Sequence, residues 1–543
     1  MSEMKRLRSE SAVEESAVEE SAVSAYVQTC AKFKSNVMFT DISKVSCVAA
    51  HVLLVGALGQ LRDKSVESLR FYCPAVAEAL RRVKDGATVK TLAVVAGREG
   101  YTEVTVTALP ATASRTNCPY RADSLSEAVV AACGTVDEGE TLDVYVRAPA
   151  GAEAAIANAV ARAVPHSYTA KSGQAAKAYM KQTTTVNVVM SSRVAFTNES
   201  VQGKSVCAAE LEAICTSVQL CQRLVDTPPC MLDTVVYAEI AAAYAAELGA
   251  DITVIKGEEL REKGYGGIYA VGKCAQYPPH LVTLRYRNPH AATCAKNIAM
   301  VGKGIVYDCG GLALKPAAHM TNMKMDMGGS AGVFCAFIAV VRSMKVQTSH
   351  YNHIANISVT LCIAENAIGP KSYRNDDVVI MKSGKSVEVM NTDAEGRMAL
   401  GDGVYYATGE QDFVPDEVIN MATLTGAQGV ATGSKHAGIY VSDAKAEQDM
   451  VNAGLQSGDV CYPVLYCPEY HEEVYRSPCA DMRNIENSKS SAGSSCGGYF
   501  VEKHLHERFK GPFVHVDMAY PSSNTAGATG YGVTLVAEYL RKY

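Results

Sequence analysis

Apolar residues in this chain gather in short runs separated by polar stretches rich in glycine and proline, and the spacing inside the runs alternates between two periods. From about residue 26 to about 200, runs such as VAAHVLLVGAL, TLAVVAG, TLDVYVRA and TTTVNVVM have the length and β-branched content of buried strands. Helical patterns lie between them. One follows Ser124, where Ser124 and Glu127 stand at capping-box spacing and predict a helix start. Residues 26–200 therefore read as a first α/β domain. The segment 205–224, SVCAAELEAICTSVQLCQRL, carries apolar residues at three-to-four spacing. DTPP at 226–229 then ends the helix, because proline lacks an N–H and clashes with the preceding turn. A linker helix over 205–224 and a second domain over 225–543 are predicted.

In the second domain the strand-like runs are NIAMVGKGIVYD, NISVTLCIAEN, EVINMATLTGA, GIYVS and PFVHVDMA, with helical stretches such as SAGVFCAFIAVVRSM between them. That alternation predicts an α/β fold, a mostly parallel central sheet flanked by helices. Ligands of such sheets collect beyond the carboxyl ends of the strands. At the other extreme, residues 11–23 read SAVEESAVEESAV, a repeat too short and too polar to bury a face, so 1–25 are taken as a disordered acidic tail.

Composition narrows the function. Of 543 residues, 48% are apolar and 20% charged, the usage of an ordinary globular protein. The net charge of −6 offers no bulk positive field, so neither nucleic acid nor an anionic membrane is an expected partner. No uninterrupted apolar stretch approaches the length of a membrane span and the first residues lack a signal-peptide core, so the chain is expected in the cytoplasm. The 18 cysteines include no C-x-x-C pair and read as reduced thiols rather than zinc-ribbon ligands.

Three segments carry candidate chemistry, each read as an apolar strand that ends in charges and glycine. VGKGIVYDCGG holds Lys303 and Asp308, which would face opposite sides of an unbroken strand; its glycines would bend the backbone and bring both into one pocket. LKPAAHMTNMKMDMGGS holds Lys315 and Asp326, the latter before a glycine pair that opens a helix. NTDAEGR places Asp393, Glu395 and Arg397 at alternate positions, on one side if the segment is extended. Taken singly, each is a cap, a turn or a solvated charge. Taken together, they bring four carboxylates into proximity, and two divalent cations would balance them. Oxygen-rich ligation with one nitrogen suits zinc, manganese or magnesium. Paired metals roughly 3.5 to 4 Å apart are an arrangement that hydrolyses amide or phosphate bonds.

In order and spacing, VGKGIVYDCGG, LKP, MKMDMGG and NTDAEGRMAL resemble the signature set of the leucyl aminopeptidase family of dizinc exopeptidases, with DTPP, ATLTGA, PCADMRNI, HVDMA and GATGYGV adding to the match over about 225–543. The resemblance implies a smaller, macro-like first domain before a metallopeptidase domain, and release of amino-terminal residues, leucine and other apolar ones preferred. One metal would be held by Asp308, Asp393 and Glu395, the other by Lys303, Asp308, Asp326 and Glu395. Lys315 would stabilise the oxyanion, and Arg397 would bind a bicarbonate that relays a proton from the attacking water. The substrate amine would face Asp326, with Met323, Thr423 and Gly426 around the first side chain, Leu424 positioning the backbone, and Ala519 and Ser522 at the far wall of the pocket, in a stretch that departs from the family pattern. Cys309, Tyr307 and Met398 also depart from it, at positions that touch no ligand. The resemblance further implies a homohexamer acting on short peptides with a free amino terminus.

Other motifs compete. GGSAG at 328–332 fits a G-x-S-x-G elbow with Ser330 as nucleophile, but no apolar strand precedes it. SGKS at 383–386 lacks the first glycine of a phosphate loop, Val379 standing there. HEEVY at 471–475 has Tyr475 where a zincin helix needs its second histidine. His319 and His515 read as packed or supporting groups. A scaffold with an inert catalytic half, binding DNA or nucleotides, is the rival from another class, and the intact ligand set argues against it.

Overall fold

In the computed structural model, the described residues are 24–541, apart from 97–98, 138, 165–167, 169–184, 191–207, 347–349 and 489–490. The acidic repeat falls outside them. After a helix over 24–31, the first sheet is built from β1 (Val37–Asp41), β2 (His51–Ala57), β3 (Thr88–Val94), β4 (Tyr101–Leu109), β5 (Thr141–Arg147) and β6 (Thr185–Met190) in the order β1-β6-β5-β2-β4-β3. Only the edge strand β3 runs antiparallel to its neighbour. The helix after β4 spans Ala122–Cys133 with Arg121 as its cap in the left-handed region, so the cap expected at Ser124 is corrected by three residues; Ser124 instead accepts from the Arg121 guanidinium.

The helix Ala208–Asp226 follows, stopping at the prolines as the sequence requires. The second sheet comprises β7 (Asp251–Lys256), β8 (His280–Arg287), β9 (Lys296–Asp308), β10 (Ile354–Asn366), β13 (Glu417–Ala422), β14 (Ala437–Val441), β15 (Cys461–Pro463) and β17 (Phe513–Asp517), ordered β15-β14-β17-β13-β9-β10-β8-β7. A small separate sheet joins β11 (Val378–Ile380), β12 (Ser386–Glu388) and β16 (Met482–Arg483). Strands β17, β13, β9 and β10 are mutually parallel, and the antiparallel pairs lie outside them.

Strand β9 is buried on both faces, which is why it reads as a continuous apolar run. Ile298 and Met300 join the core formed with the helix Gly328–Met344, while Ala299, Val301 and Ile305 join the core formed with the helix Glu395–Gly409. Lys303 lies on the second of these faces. In the register with β10, Ile305 pairs Ala364 and Tyr307 pairs Glu365, so Val306 is an extra residue, a β-bulge. Lys303 then stands opposite Cys362 and Asp308 opposite Asn366, four positions apart on β10 and so on one face. The bulge, not bending at glycine, unites the two side chains. Gly302 serves packing instead: a Cβ there would lie 2.3 Å from Ser330 Cα on the helix Gly328–Met344.

Only the first of the three charged segments is a strand. Met323–Met327 is a 3₁₀ turn that runs into the helix at Gly328, and Glu395–Gly409 is a helix with Ala394 as its cap. The extended reading of Asp393, Glu395 and Arg397 is corrected accordingly. GRMALGDGV is buried all round, and a segment with no exposed face gives no clear alternation to separate strand from helix.

Candidate active site

Beyond the carboxyl end of β9, the fold gathers a closed set of charges. Lys303 Nζ lies 2.8 Å from Asp326 and 2.9 Å from Glu395 Oε1, and donates to the Thr423 carbonyl at 3.0 Å. Lys315 Nζ lies 2.8 Å from Asp308 Oδ2 and 2.5 Å from Asp393 Oδ1. Asp308, Asp326 and Glu395 are all buried, each with an oxygen within 4.8 Å of those of the other two, a grouping able to hold a metal ion. Asp393 is half-buried and joins them through Lys315. The structure thus brings together Lys303, Asp308, Lys315, Asp326, Asp393 and Glu395.

Neighbours orient two of the carboxylates. The Gly310 N–H and the Asn366 side-chain amide both donate to Asp308 Oδ1 at 2.8 Å, and Thr423 Oγ1 donates to Asp326 Oδ1 at 2.8 Å. Asn366 also donates to the Thr392 carbonyl at 3.0 Å, tying the end of β10 to the NTDAEGR segment. Four carboxylates face two ammonium groups, leaving two negative charges uncompensated. Burial and then the nearby Glu395 push Asp308 up to about 6. Burial likewise raises Asp326 and Asp393. For Glu395 burial acts upward too, but Lys303 and Lys315 outweigh it and the group is held low. Burial acts to lower both lysines, but the carboxylates around them outweigh it and push both up. Glu395 Oε2 is buried without a hydrogen-bond partner among the described residues. An orphaned carboxylate oxygen inside an under-neutralised acidic cluster fits a divalent cation.

Arg397 stands apart from this cluster in its contacts. Its Nη1 donates to the Tyr475 hydroxyl at 2.6 Å and to Glu486 Oε2 at 3.2 Å, while its Nε is buried and unpartnered among the described residues. Met323 and Leu424 are half-buried, and Leu424 packs on the core beside Gly497. Gly426 opens a helix, Gly426–Thr432, with nothing within 4 Å of its Cβ position. Ala519 is half-buried and Ser522 buried. Asp517 holds the loop that carries Thr423 and Leu424, accepting from the Leu424 and Thr425 N–H groups and from the Thr425 and Ser494 hydroxyls. Sequence reasoning singled out neither Asp517, Tyr475 as a partner, Glu486 nor Asn366. Asn366 and Asp517 left a usable signal, each a polar end to an apolar run. Ser330 is fully buried between Tyr237 and the Met327 carbonyl, which removes it as a nucleophile. His319 is exposed, and His515 is buried against Asn420.

Comparison with known proteins bears on this geometry directly. The catalytic domain of the cytosol aminopeptidase family matches residues 219–537, and N-terminal domain 2 of the M17 aminopeptidases matches 50–174. A leucyl aminopeptidase from Leishmania major, solved in complex with actinonin, is 85% identical with a TM-score of 0.95, over 97% of this chain and 98% of that one. A leucyl aminopeptidase from Trypanosoma brucei, solved with bestatin, is 50% identical with a TM-score of 0.89, over 97% and 99%. The probable aminopeptidase NPEPL1 of Homo sapiens is 40% identical over 433 residues, 80% of this chain and 78% of that protein. With the catalytic-domain match covering more than half of its length and the acidic cluster lying within that span, this chain belongs to the cytosol aminopeptidase family and is an aminopeptidase.

Proposed function

We propose that this aminopeptidase is metal-dependent, holds two divalent ions per subunit, and removes leucine and other apolar residues from the amino terminus of peptides. The observation that carries the proposal is the buried, under-neutralised cluster with Glu395 Oε2 left without a partner. Asp308, Asp393 and Glu395 would hold one ion, and Lys303, Asp308, Asp326 and Glu395 the other, Lys303 as the neutral amine, since a bound cation would depress the proton affinity that the carboxylates alone raise; zinc, manganese and magnesium all suit such donors. When bound, the ions supply Lewis acidity toward the scissile carbonyl and toward water.

The chain's own groups do the rest. Lys315, fixed between Asp308 and Asp393, stays an ammonium and donates to the carbonyl oxygen as it gains negative charge. Asp326, oriented by Thr423, faces the free amine of the substrate, so an acylated peptide is refused. Met323, Thr423, Gly426 and Ala519 shape the site for the first side chain, and Leu424 positions the substrate backbone. Arg397 holds a bicarbonate that accepts a proton from the attacking water. The division into 26–200 and 225–543, a homohexameric assembly, a cytoplasmic location and the absence of nucleic acid among its partners belong to the same proposal. Treatment with a chelator tests it: turnover of leucine anilide should disappear and return with zinc or manganese, and N-acetyl-leucine anilide should never turn over. Turnover that is indifferent to chelation would sink the proposal.

A further inference from the structure

A guanidinium offers a planar anion two bidentate edges, the pair of terminal nitrogens or the side formed by Nε and one terminal nitrogen. In Arg397 the first edge is compromised. Nη1 is taken by the Tyr475 hydroxyl at 2.6 Å and by Glu486 at 3.2 Å. That phenol is itself committed, donating to the Cys496 carbonyl at 2.9 Å, and its ring is stacked on Tyr499 with centroids 5.8 Å apart. Nε, by contrast, is buried with no partner among the described residues, and Arg397 as a whole is only 5% exposed. A buried guanidinium clamped at one nitrogen and bare along the opposite side is a receptor whose orientation is set before its ligand arrives.

We infer that Tyr475 and Glu486 are positioning residues that hold Arg397 by Nη1, so that its Nε side is what a bicarbonate-sized planar oxyanion meets. This rests on the reading of Arg397 as the anion-binding group given above. Neither residue touches the substrate in this assignment; both act through the guanidinium. Glu486 makes the inference sharp, because it is an anion next to an anion site. If its influence were electrostatic alone, removing it would tighten binding. If it positions Arg397, removing it weakens binding.

The test measures the bicarbonate concentration at half effect in two ways on the metal-loaded enzyme: from turnover of leucine anilide, and from the rise in melting temperature that a ligand of the folded state produces. Tyr475→Phe should raise both midpoints about tenfold, the scale of one hydrogen bond to a charged group, with KM for the anilide and metal content unchanged. Glu486→Ala, a change at a more exposed side chain that leaves the core intact, should raise them as well. Glu486→Gln keeps an acceptor and should stay within about threefold of the parent. Unchanged midpoints in Tyr475→Phe, or tighter binding in Glu486→Ala, overturn the positioning role while leaving Arg397 as the anion site. A parent enzyme without a bicarbonate response, or an Arg397→Ala variant that responds as the parent does, overturns the reading of Arg397 and this inference with it.

Discussion

Replacing Lys315 by methionine removes one ammonium group from the cluster while keeping an unbranched side chain of similar length, and the structure gives its two consequences opposite signs. Lys315 sits 2.8 Å from Asp308 and 2.5 Å from Asp393, so its loss takes the uncompensated negative charge of the cluster from two to three. At an effective dielectric near 20, unit charges about 4 Å apart interact by about 4 kcal/mol. Divalent cations should therefore be retained at least as well as in the parent. Catalysis moves the other way, because the donor that meets the developing oxyanion is gone; losing one such donor costs about 100- to 1000-fold in kcat. Steady-state kinetics on leucine anilide, paired with metal analysis of the same sample, separates the two effects. The expected result is a collapse of kcat with KM little changed and metal content intact. Turnover within about threefold of the parent, or inactivity explained by lost metal, would refute the assignment of Lys315 as an oxyanion donor.

Three further outcomes follow from particular contacts. Thr423→Val deletes the hydroxyl that orients Asp326, and KM for a peptide with a free amine should rise about tenfold with little change in fold, as measured by kinetics and circular dichroism. Gly302→Ala places a Cβ 2.3 Å from Ser330 Cα and 2.7 Å from a Val333 methyl, so the core helix must shift; a loss of about 3 kcal/mol, seen as a lower melting temperature, is expected. Burial holds His504 down at about 3, well below its unfolded value of about 6.5. The unfolded chain takes up that proton first, so the stability this group contributes is present above about pH 6.5 and is lost as pH falls toward 3. At pH 5 the loss is about 2 kcal/mol. In urea unfolding, the stability difference between pH 7 and pH 5 should shrink by that amount in His504→Asn, and equal differences in variant and parent would refute the claim.

Much of the site was legible because its chemistry is written locally. Lys303 and Asp308 share one apolar run, Asp326 precedes a glycine pair, and Asp393 and Glu395 stand two apart, so the residues of the cluster could be named before their arrangement was known. The arrangement itself was not. A bulge at Val306 is invisible in a sequence whose glycines give an equally good account of how Lys303 and Asp308 meet. Residues 395–409 are buried on nearly every side, so nothing in their pattern tells helix from strand. Tyr475 and Glu486 reach Arg397 across 78 and 89 residues of chain, and Tyr475 had looked informative only as the histidine that a zincin lacks. Strands β7, β8 and β15 lie at or near the sheet edges and carry more mixed patterns than the buried centre, which is why the parallel core was easier to read than its borders.

Metal content per subunit, determined on purified protein beside its Glu395→Ala variant, addresses the central claim most directly. Two divalent ions per active subunit are expected in the parent, and in the variant the loss of at least one ion together with turnover. A fully active parent free of bound divalent metal, or a variant that keeps both its metal and its activity, would contradict it.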